Sequence, residues 1–365
     1  MRPSIFLALL LAVGLSGCLP ARFAVYNFAN ITDHKKFPAR ALEPSATPFR
    51  FVKAAKEIKP REFTLKGKSY DFEEFLGKHK TVAFLIIRHD TLLYERYYHG
   101  YDAGSKVASF SMAKSYTSAL IGEAIADGLI GSVEDPVTKY VPEMAPQGFD
   151  RVTIRHLLQM TAGLKFNESY TTPFSGAPSF YYGRHLRKRT LNLRLKQEPG
   201  KSYEYTSGTT QLLGLVLERA LKGKTITAYL QEKIWTPMQT EYPASWSIDQ
   251  KKDGLEKTFC CINATAVDYA KFGRLYGHQG TWNGKQVVPA SWVKESTRPD
   301  TTDGAVRYYK YQWWIPSPQG DFCAQGHLGQ YIYVYPKKDI VIVRLGKNVG
   351  GVPWVPLIRS IAAGL

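Results

Sequence analysis

Strand-patterned segments stand at both ends of this chain, with residues 99–329 between them, and that separation limits the folds open to it. Near the start, Thr81–Arg88 is a continuous apolar run of the length of a buried strand. His89-Asp90 marks a turn, and Leu92–Tyr98 returns as a second strand. Near the end, Gln330–Tyr335 and Ile340–Leu345 flank Pro336-Lys337-Lys338-Asp339, the pattern of an antiparallel hairpin. Trp354–Ala363 reads as a closing helix. The middle changes to helical spacing. Met112, Ala113, Ala119, Leu120, Ala124 and Ile125 precede Gly128, and Ile154–Met160, Thr210–Leu221 and Asn263–Gly277 follow. The order suggests an α/β fold of the α+β kind. An antiparallel sheet is assembled from both ends of the chain and flanked by helices, with a mainly helical lobe inserted at approximately residues 111–260.

A chain of 365 residues is long enough for two lobes and a sizeable core. With 44% hydrophobic and 22% charged residues, it is not a disordered, collagenous or coiled-coil protein. The formal charge of +17 suggests polyanionic surroundings: nucleic acid, anionic lipid or wall polymers. The N-terminus narrows that choice. Arg2 precedes an apolar run, Ile5–Val13, too short to span a bilayer. Leu15-Ser16-Gly17-Cys18 follows and resembles a bacterial lipobox, whose cysteine is lipidated and becomes the first mature residue. Residues 1–17 are then a lipoprotein signal peptide and Cys18 the lipidation site. Residues 18–60, dotted with Pro38, Pro44, Pro48 and Pro60, read as a tether and wrapping arm. Residues 61–365 form the main domain. The expected location is the bacterial cell envelope, anchored to a membrane and facing the periplasm or exterior, which argues against a nucleic-acid partner.

Ser111-Met112-Ala113-Lys114 carries the first chemical signal. On a helix, positions i and i+3 share a face, so the Ser hydroxyl and the Lys amine can meet. A lysine acts as a base only where burial lowers its pKa. The spacing alone is weak: Ser291-Trp292-Val293-Lys294 also fits and has no supporting context. Support for the first comes from later segments. Glu198-Pro199-Gly200 precedes Tyr203-Glu204-Tyr205-Thr206-Ser207, and Gly326-His327-Leu328-Gly329-Gln330 stands immediately before the C-terminal hairpin.

Together, S-x-x-K, then Y-x-S after a Pro-Gly turn, then H-x-G resemble the serine β-lactamase-like, penicillin-recognising proteins. The similarity is greatest to the class C-like branch that includes carboxylesterases and 6-aminohexanoate-dimer hydrolases. Cys261-Ile262-Asn263-Ala264-Thr265-Ala266 adds to the likeness. The resemblance covers roughly residues 70–365. It implies a β-lactamase/transpeptidase-like fold and a serine hydrolase that works without a cofactor. Ser111 would be the acylated nucleophile, Lys114 its proton partner and Tyr205 the phenol that relays protons, with a neighbouring Lys⁺ favouring phenolate. The backbone N–H groups of Ser111 and Gln330 would form the oxyanion hole.

Two departures carry information. His327 and Leu328 stand where a Lys and a Thr commonly hold a carboxylate, and Ser207 stands where β-lactamases have Asn. Both weaken the case for β-lactam hydrolysis and leave the Ser/Lys/Tyr set intact. Tyr170, on the loop after Gly163, is a candidate substrate contact, as are Ser207, His327 and Gly329. Glu168 on the same loop reads as a solvated carboxylate or an amine-binding group. The basic run Arg184, Arg187, Lys188, Arg189, Arg194, Lys196 and Lys201 is either a solvated helix face or a positive rim near Tyr205. Adjacent cysteines rarely bridge to each other. Outside the cytoplasm one of the two, with Cys261 the candidate, could pair with Cys323, the alternative being buried free thiols. No metal-ligand spacing occurs among the eight histidines and four cysteines, and no G-x-S-x-G or phosphate loop is present. The sequence points to a lipid-anchored hydrolase of a small ester, linear amide or peptide. A D,D-peptidase or β-lactamase, and a non-catalytic envelope lipoprotein of the same fold, are the competing readings.

Overall fold

The computed structural model describes Leu19, Arg22, Tyr26 and residues 28–365 except 171, 173 and 174. The expected signal peptide, residues 1–17, and Cys18 lie outside the described residues. No described helix is long and apolar enough to cross a membrane.

The N-terminal arm supplies β1 (Ala39–Leu42) and β2 (Val52–Lys53). Helix α1 (Phe72–Lys78) leads into the first hairpin, β3 (Thr81–Arg88) and β4 (Thr91–Tyr97). The short β5 (Val107–Ala108) enters the Ser111 turn, and α2 (Ala113–Ala126) follows it. The helical middle contains α3 (Ser207–Ala220) and closes on β6 (Ala244–Ser247), β7 (Ile262–Ala264) and α4 (Ala266–Gly277). The C-terminal stretch gives β8 (Tyr309–Lys310), β9 (Trp313–Trp314), β10 (Phe322–Gly326), β11 (Gln330–Tyr335), β12 (Ile340–Gly346) and α5 (Trp354–Gly364).

Eight of these strands form one sheet in the order β8-β9-β10-β11-β12-β3-β4-β2. The two ends of the chain meet where β12 pairs antiparallel with β3, Ile342 opposite Ile86. All pairings in this sheet are antiparallel except β2 with β4. A second sheet, β1-β6-β7-β5, ties the arm to the base of the Ser111 turn. The arm is therefore built into both sheets.

Successive side chains of a strand point to opposite faces. Ala83, Leu85, Ile332 and Val343 face the helical lobe and α4. Phe84, Ile86, Tyr333 and Ile342 face the other way, onto Phe72 and Phe75 of α1 and Ile358 of α5. Helices thus cover both faces, which explains the continuous apolar runs of β3 and β12.

This alternation also decides the cysteines. Cys323 on β10 points to the α1/α5 face, whereas Cys261 lies in the cluster on the lobe face. The sheet stands between them, so the expected Cys261–Cys323 bridge does not form. Cys261 is bonded instead to its neighbour Cys260, and Cys323 is a buried free thiol. Burial pushes its pKa up to about 12.

Close backbone approach fixes α3 in the lobe. A Cβ on Gly214 would lie 2.1 Å from Oγ1 of Thr258. In an open helix, Gly→Ala gains about 1 kcal/mol. At this contact, overpacking costs about 1–3 kcal/mol and outweighs the gain. Gly214→Ala is expected to lower the unfolding free energy in urea; equal or greater stability would show that the Thr258 segment yields without cost.

Candidate active site

The S-x-x-K segment does not sit wholly on a regular helix. Phe110, Ser111 and Met112 form a 3₁₀ turn that runs into α2 at Ala113. Phe110 has φ +45°, in the left-handed region that a bulky residue avoids. Such strain costs about 1–3 kcal/mol and persists where the surroundings hold it. Here the Ser109 N–H donates to the Ile262 carbonyl at 2.7 Å. On the other side, Gly326 packs so closely on Ser109 that a Cβ there would lie 2.2 Å from the Ser109 carbonyl oxygen. The strained turn is thus clamped between β7 and the end of β10. It presents a partly exposed Ser111 to the cleft.

Lys114 lies one turn further on, buried. Its Nζ donates to Oγ of Ser111 at 3.1 Å, to Oγ of Ser207 at 3.3 Å and to the Phe259 carbonyl at 2.8 Å. The rings of Tyr205 and Phe259 stand 5.1 and 5.6 Å from it. Burial draws its pKa down to about 8, and the nearby Glu168 carboxylate opposes that fall. A neutral amine is therefore accessible at mildly alkaline pH. By contrast, the second S-x-x-K leaves both Ser291 and Lys294 exposed.

The Tyr205 phenol is near enough to the Ser111 hydroxyl to feel it, and its ring stands 5.1 Å from the Lys114 amine, so the three expected residues converge. Its protonation differs from the expectation. Burial pushes the phenol well above its ordinary pKa and outweighs the opposing influence of the Ser111 hydroxyl. The phenol is held neutral, a proton donor in the resting site. Its ring packs on Tyr309 at 5.9 Å and on Trp314 at 5.6 Å, and Tyr308 stacks on the far side of Trp314.

Glu168 is not a solvated loop carboxylate. Its Oε2 accepts from the Ser207 N–H at 2.7 Å, and its Oε1 accepts from the hydroxyls of Ser207 at 2.6 Å and Tyr170 at 3.0 Å. It sits at the N-terminus of α3, where a negative charge is favoured. Ser207, expected to touch substrate, is fully buried and bridges Lys114 to Glu168. Tyr170 does reach the cleft, and its ring stacks on His327 at 5.4 Å. His327 also meets Phe110 edge-on at 5.6 Å. Burial lowers the His327 pKa, so the wall built by these rings carries no charge near neutrality.

The third motif is rearranged relative to expectation. Residues 327–329 form a turn between β10 and β11, and Gln330 pairs with Gly326 across it. The Gln330 side chain knits this turn: its Nε2 donates to the carbonyls of His327 and Gly346, and its Oε1 accepts from the Gly346 N–H. The residue abutting the Ser111 turn is Gly326. Beyond the Trp314–Cys323 pair, β10 has no strand on its outer side, which leaves its end free toward Ser111. Gly329, another expected substrate contact, has φ +85° and lies against Arg344, where a Cβ would come within 2.0 Å of the guanidinium. Arg344 is itself fully buried and donates to the carbonyls of Gly329, His79 and Asn348. Its pKa falls to about 9 through burial.

The basic run is a partly paired face. Arg187 binds Glu218 and Asp253, Lys196 binds Glu204, and Arg189 donates to the Arg184 carbonyl. Among the described residues, no group of His, Cys, Asp and Glu is arranged to hold a metal ion.

Phe259 and Arg344 belong to the site's framework and carry no local sequence signal, and the sequence marked Glu168 without its bond to Ser207. Known proteins share this fold and sequence pattern. A 6-aminohexanoate-dimer hydrolase from Paenarthrobacter ureafaciens is 28% identical over 301 residues, spanning 75% of this chain and 74% of that protein. A Bacillus anthracis structure provisionally named a 6-aminohexanoate-dimer hydrolase superposes with TM-score 0.81 at 25% identity, over 91% of this chain and 90% of the other. A family VIII carboxylesterase shares the fold, with TM-score 0.61 at 17% identity over 80% and 95% of the two chains. Residues 71–362 match the family described as Beta-lactamase, and the chain belongs to that family of serine hydrolases.

Proposed function

We propose that this hydrolase cleaves an uncharged ester or linear amide, of the kind turned over by carboxylesterases and 6-aminohexanoate-dimer hydrolases, through an acyl-Ser111 intermediate. The observation that carries the reading is the Lys114 amine, buried, 3.1 Å from Ser111 and near pKa 8. Neutral Lys114 takes the Ser111 proton as Oγ attacks the carbonyl carbon. The tetrahedral oxyanion receives hydrogen bonds from the Ser111 N–H and from the N–H of His327. That second donor replaces Gln330, because the end of β10 abuts the Ser111 turn. Tyr205 gives its proton to the leaving oxygen or nitrogen and is reprotonated from the Lys114 ammonium. Water then attacks the acyl group, passes its proton back through Tyr205 and Lys114, and releases Ser111.

The cleft wall favours substrates without a carboxylate at the third motif. His327 is neutral and Leu328 has no donor beyond its backbone, so nothing there replaces the missing Lys and Thr. A short-chain nitrophenyl ester, an aminohexanoate dimer and nitrocefin separate the classes. Ester or linear-amide turnover is expected, with a loss of about 10³-fold or more in Ser111→Ala. Turnover of nitrocefin alone would replace this reading with a β-lactamase one, and no turnover of any would support a non-catalytic scaffold.

The pH profile tests the base. Activity requires the amine, so kcat/KM is expected to rise with pH through a limb near 8. Glu168 holds that pKa up, and Glu168→Gln is expected to move the limb to lower pH. A limb that stays put would remove Lys114 from the base role or Glu168 from its neighbourhood. Membrane anchoring belongs to the same proposal and is supported by the Leu15–Cys18 lipobox-like run. Metabolic labelling with an alkynyl fatty acid should mark the wild-type chain and not Cys18→Ala.

A further inference from the structure

The segment after the helical lobe is where the chain makes its second grip on the catalytic turn. Phe259 offers its carbonyl to Lys114 at 2.8 Å, and Ile262 offers its own to the Ser109 N–H at 2.7 Å. These two acceptors flank Ser111 from both sides in sequence. Only Cys260 and Cys261 separate them, and those two residues are joined by a disulfide.

The surroundings fix this short span closely. The Trp246 indole N–H is shared between the carbonyls of Lys257 and Cys260, each at 3.0 Å. The Ser247 N–H donates to the Cys261 carbonyl at 3.0 Å, and the Asn263 amide donates to the same oxygen at 3.2 Å. One residue before Phe259, the Thr258 carbonyl accepts from the Thr117 hydroxyl of α2 at 2.9 Å. Cys261 has φ +76°, a conformation that a cysteine seldom adopts unaided. Both cysteines are buried against the lobe.

We propose that the Cys260–Cys261 disulfide is a positioning element of the active site: it sets the spacing between the Phe259 and Ile262 carbonyls, and its reduction disengages Lys114 from Ser111. This rests on the reading of Lys114 as the base. Opening is an ordinary exchange with a dithiol reductant. One reductant thiolate attacks a cysteine sulfur, forming a mixed disulfide and releasing the other cysteine as thiolate. The second reductant thiol then closes the reductant into its cyclic disulfide. The protein gains two electrons and two protons, and the reductant is oxidised. Freed of the bond, Cys261 no longer has to hold its left-handed backbone, and the span between the two carbonyls relaxes. The amine then loses its fixed place beside Ser111, while the Tyr170–His327 wall stays as it was. The effect falls on the chemical step more than on binding.

The test uses the full chain and a nitrophenyl ester. Denatured, unreduced protein should leave Cys260 and Cys261 unalkylated by iodoacetamide, and prior dithiothreitol should add two further adducts that map to them. Dithiothreitol is expected to lower kcat about tenfold or more, the scale of a misplaced catalytic group. KM should stay within about twofold. Reoxidation with glutathione disulfide should restore kcat. The Cys260→Ser/Cys261→Ser variant should match the reduced enzyme and ignore dithiothreitol. The proposal is overturned if the bridge is absent from the isolated protein, if reduction leaves kcat unchanged, or if KM rises as far as kcat falls. Should the variant fail to fold, reduction and reoxidation of the wild type decide alone. Failure of the Lys114 reading would show separately, as a pH limb that is absent near 8 or stays put in Glu168→Gln.

Discussion

The architecture converges on a single amine held away from water. An ammonium buried without a carboxylate partner is costly, and the usual outcome is a lowered pKa. Lys114 is in that position, with two hydroxyls and one carbonyl as its acceptors and two aromatic rings about it. Each acceptor comes from a different part of the chain. Ser111 is on the turn before α2, Ser207 opens α3, and Phe259 precedes β7. The arrangement of lobe and sheet can be read as the means of bringing these three to one nitrogen. Glu168 tempers the effect from a distance, so that the amine loses its proton within reach of neutral pH rather than far below it.

The parts of this design that depend on local pattern were legible in the sequence. The β3–β4 and β11–β12 hairpins, α2, α4 and α5 fall where apolar periodicity places them, because each buries a face that its own residues define. Ser111, Lys114 and Tyr205 were legible through motif order, although one S-x-x-K is chemically no different from another. What separates Lys114 from Lys294 is burial, and burial is a property of the fold.

The misreadings share one cause: each depended on which face or which strand a residue meets far away in sequence. Cys323 and Cys261 are separated by the sheet itself. The H-x-G segment falls in the turn at 327–329, and the residue that meets the Ser111 turn is Gly326, across the hairpin from Gln330. Ser207 and Glu168 sit 39 residues apart and meet only because the loop folds over the start of α3. The arm, read as a tether, contributes a strand to each sheet, since β1 finds β6 and β2 finds β4 across about 200 and 40 residues.

The contact between Tyr205 and Trp314 has an optical side. Trp235, Trp246, Trp313 and Trp354 are fully enclosed. Trp314 is partly open and lies 5.6 Å from the Tyr205 phenol. Its indole is thus the fluorophore placed to sense a change of polarity beside Ser111. An acyl group arriving there would be read as a change of intrinsic emission, with neither a coloured substrate nor an attached dye.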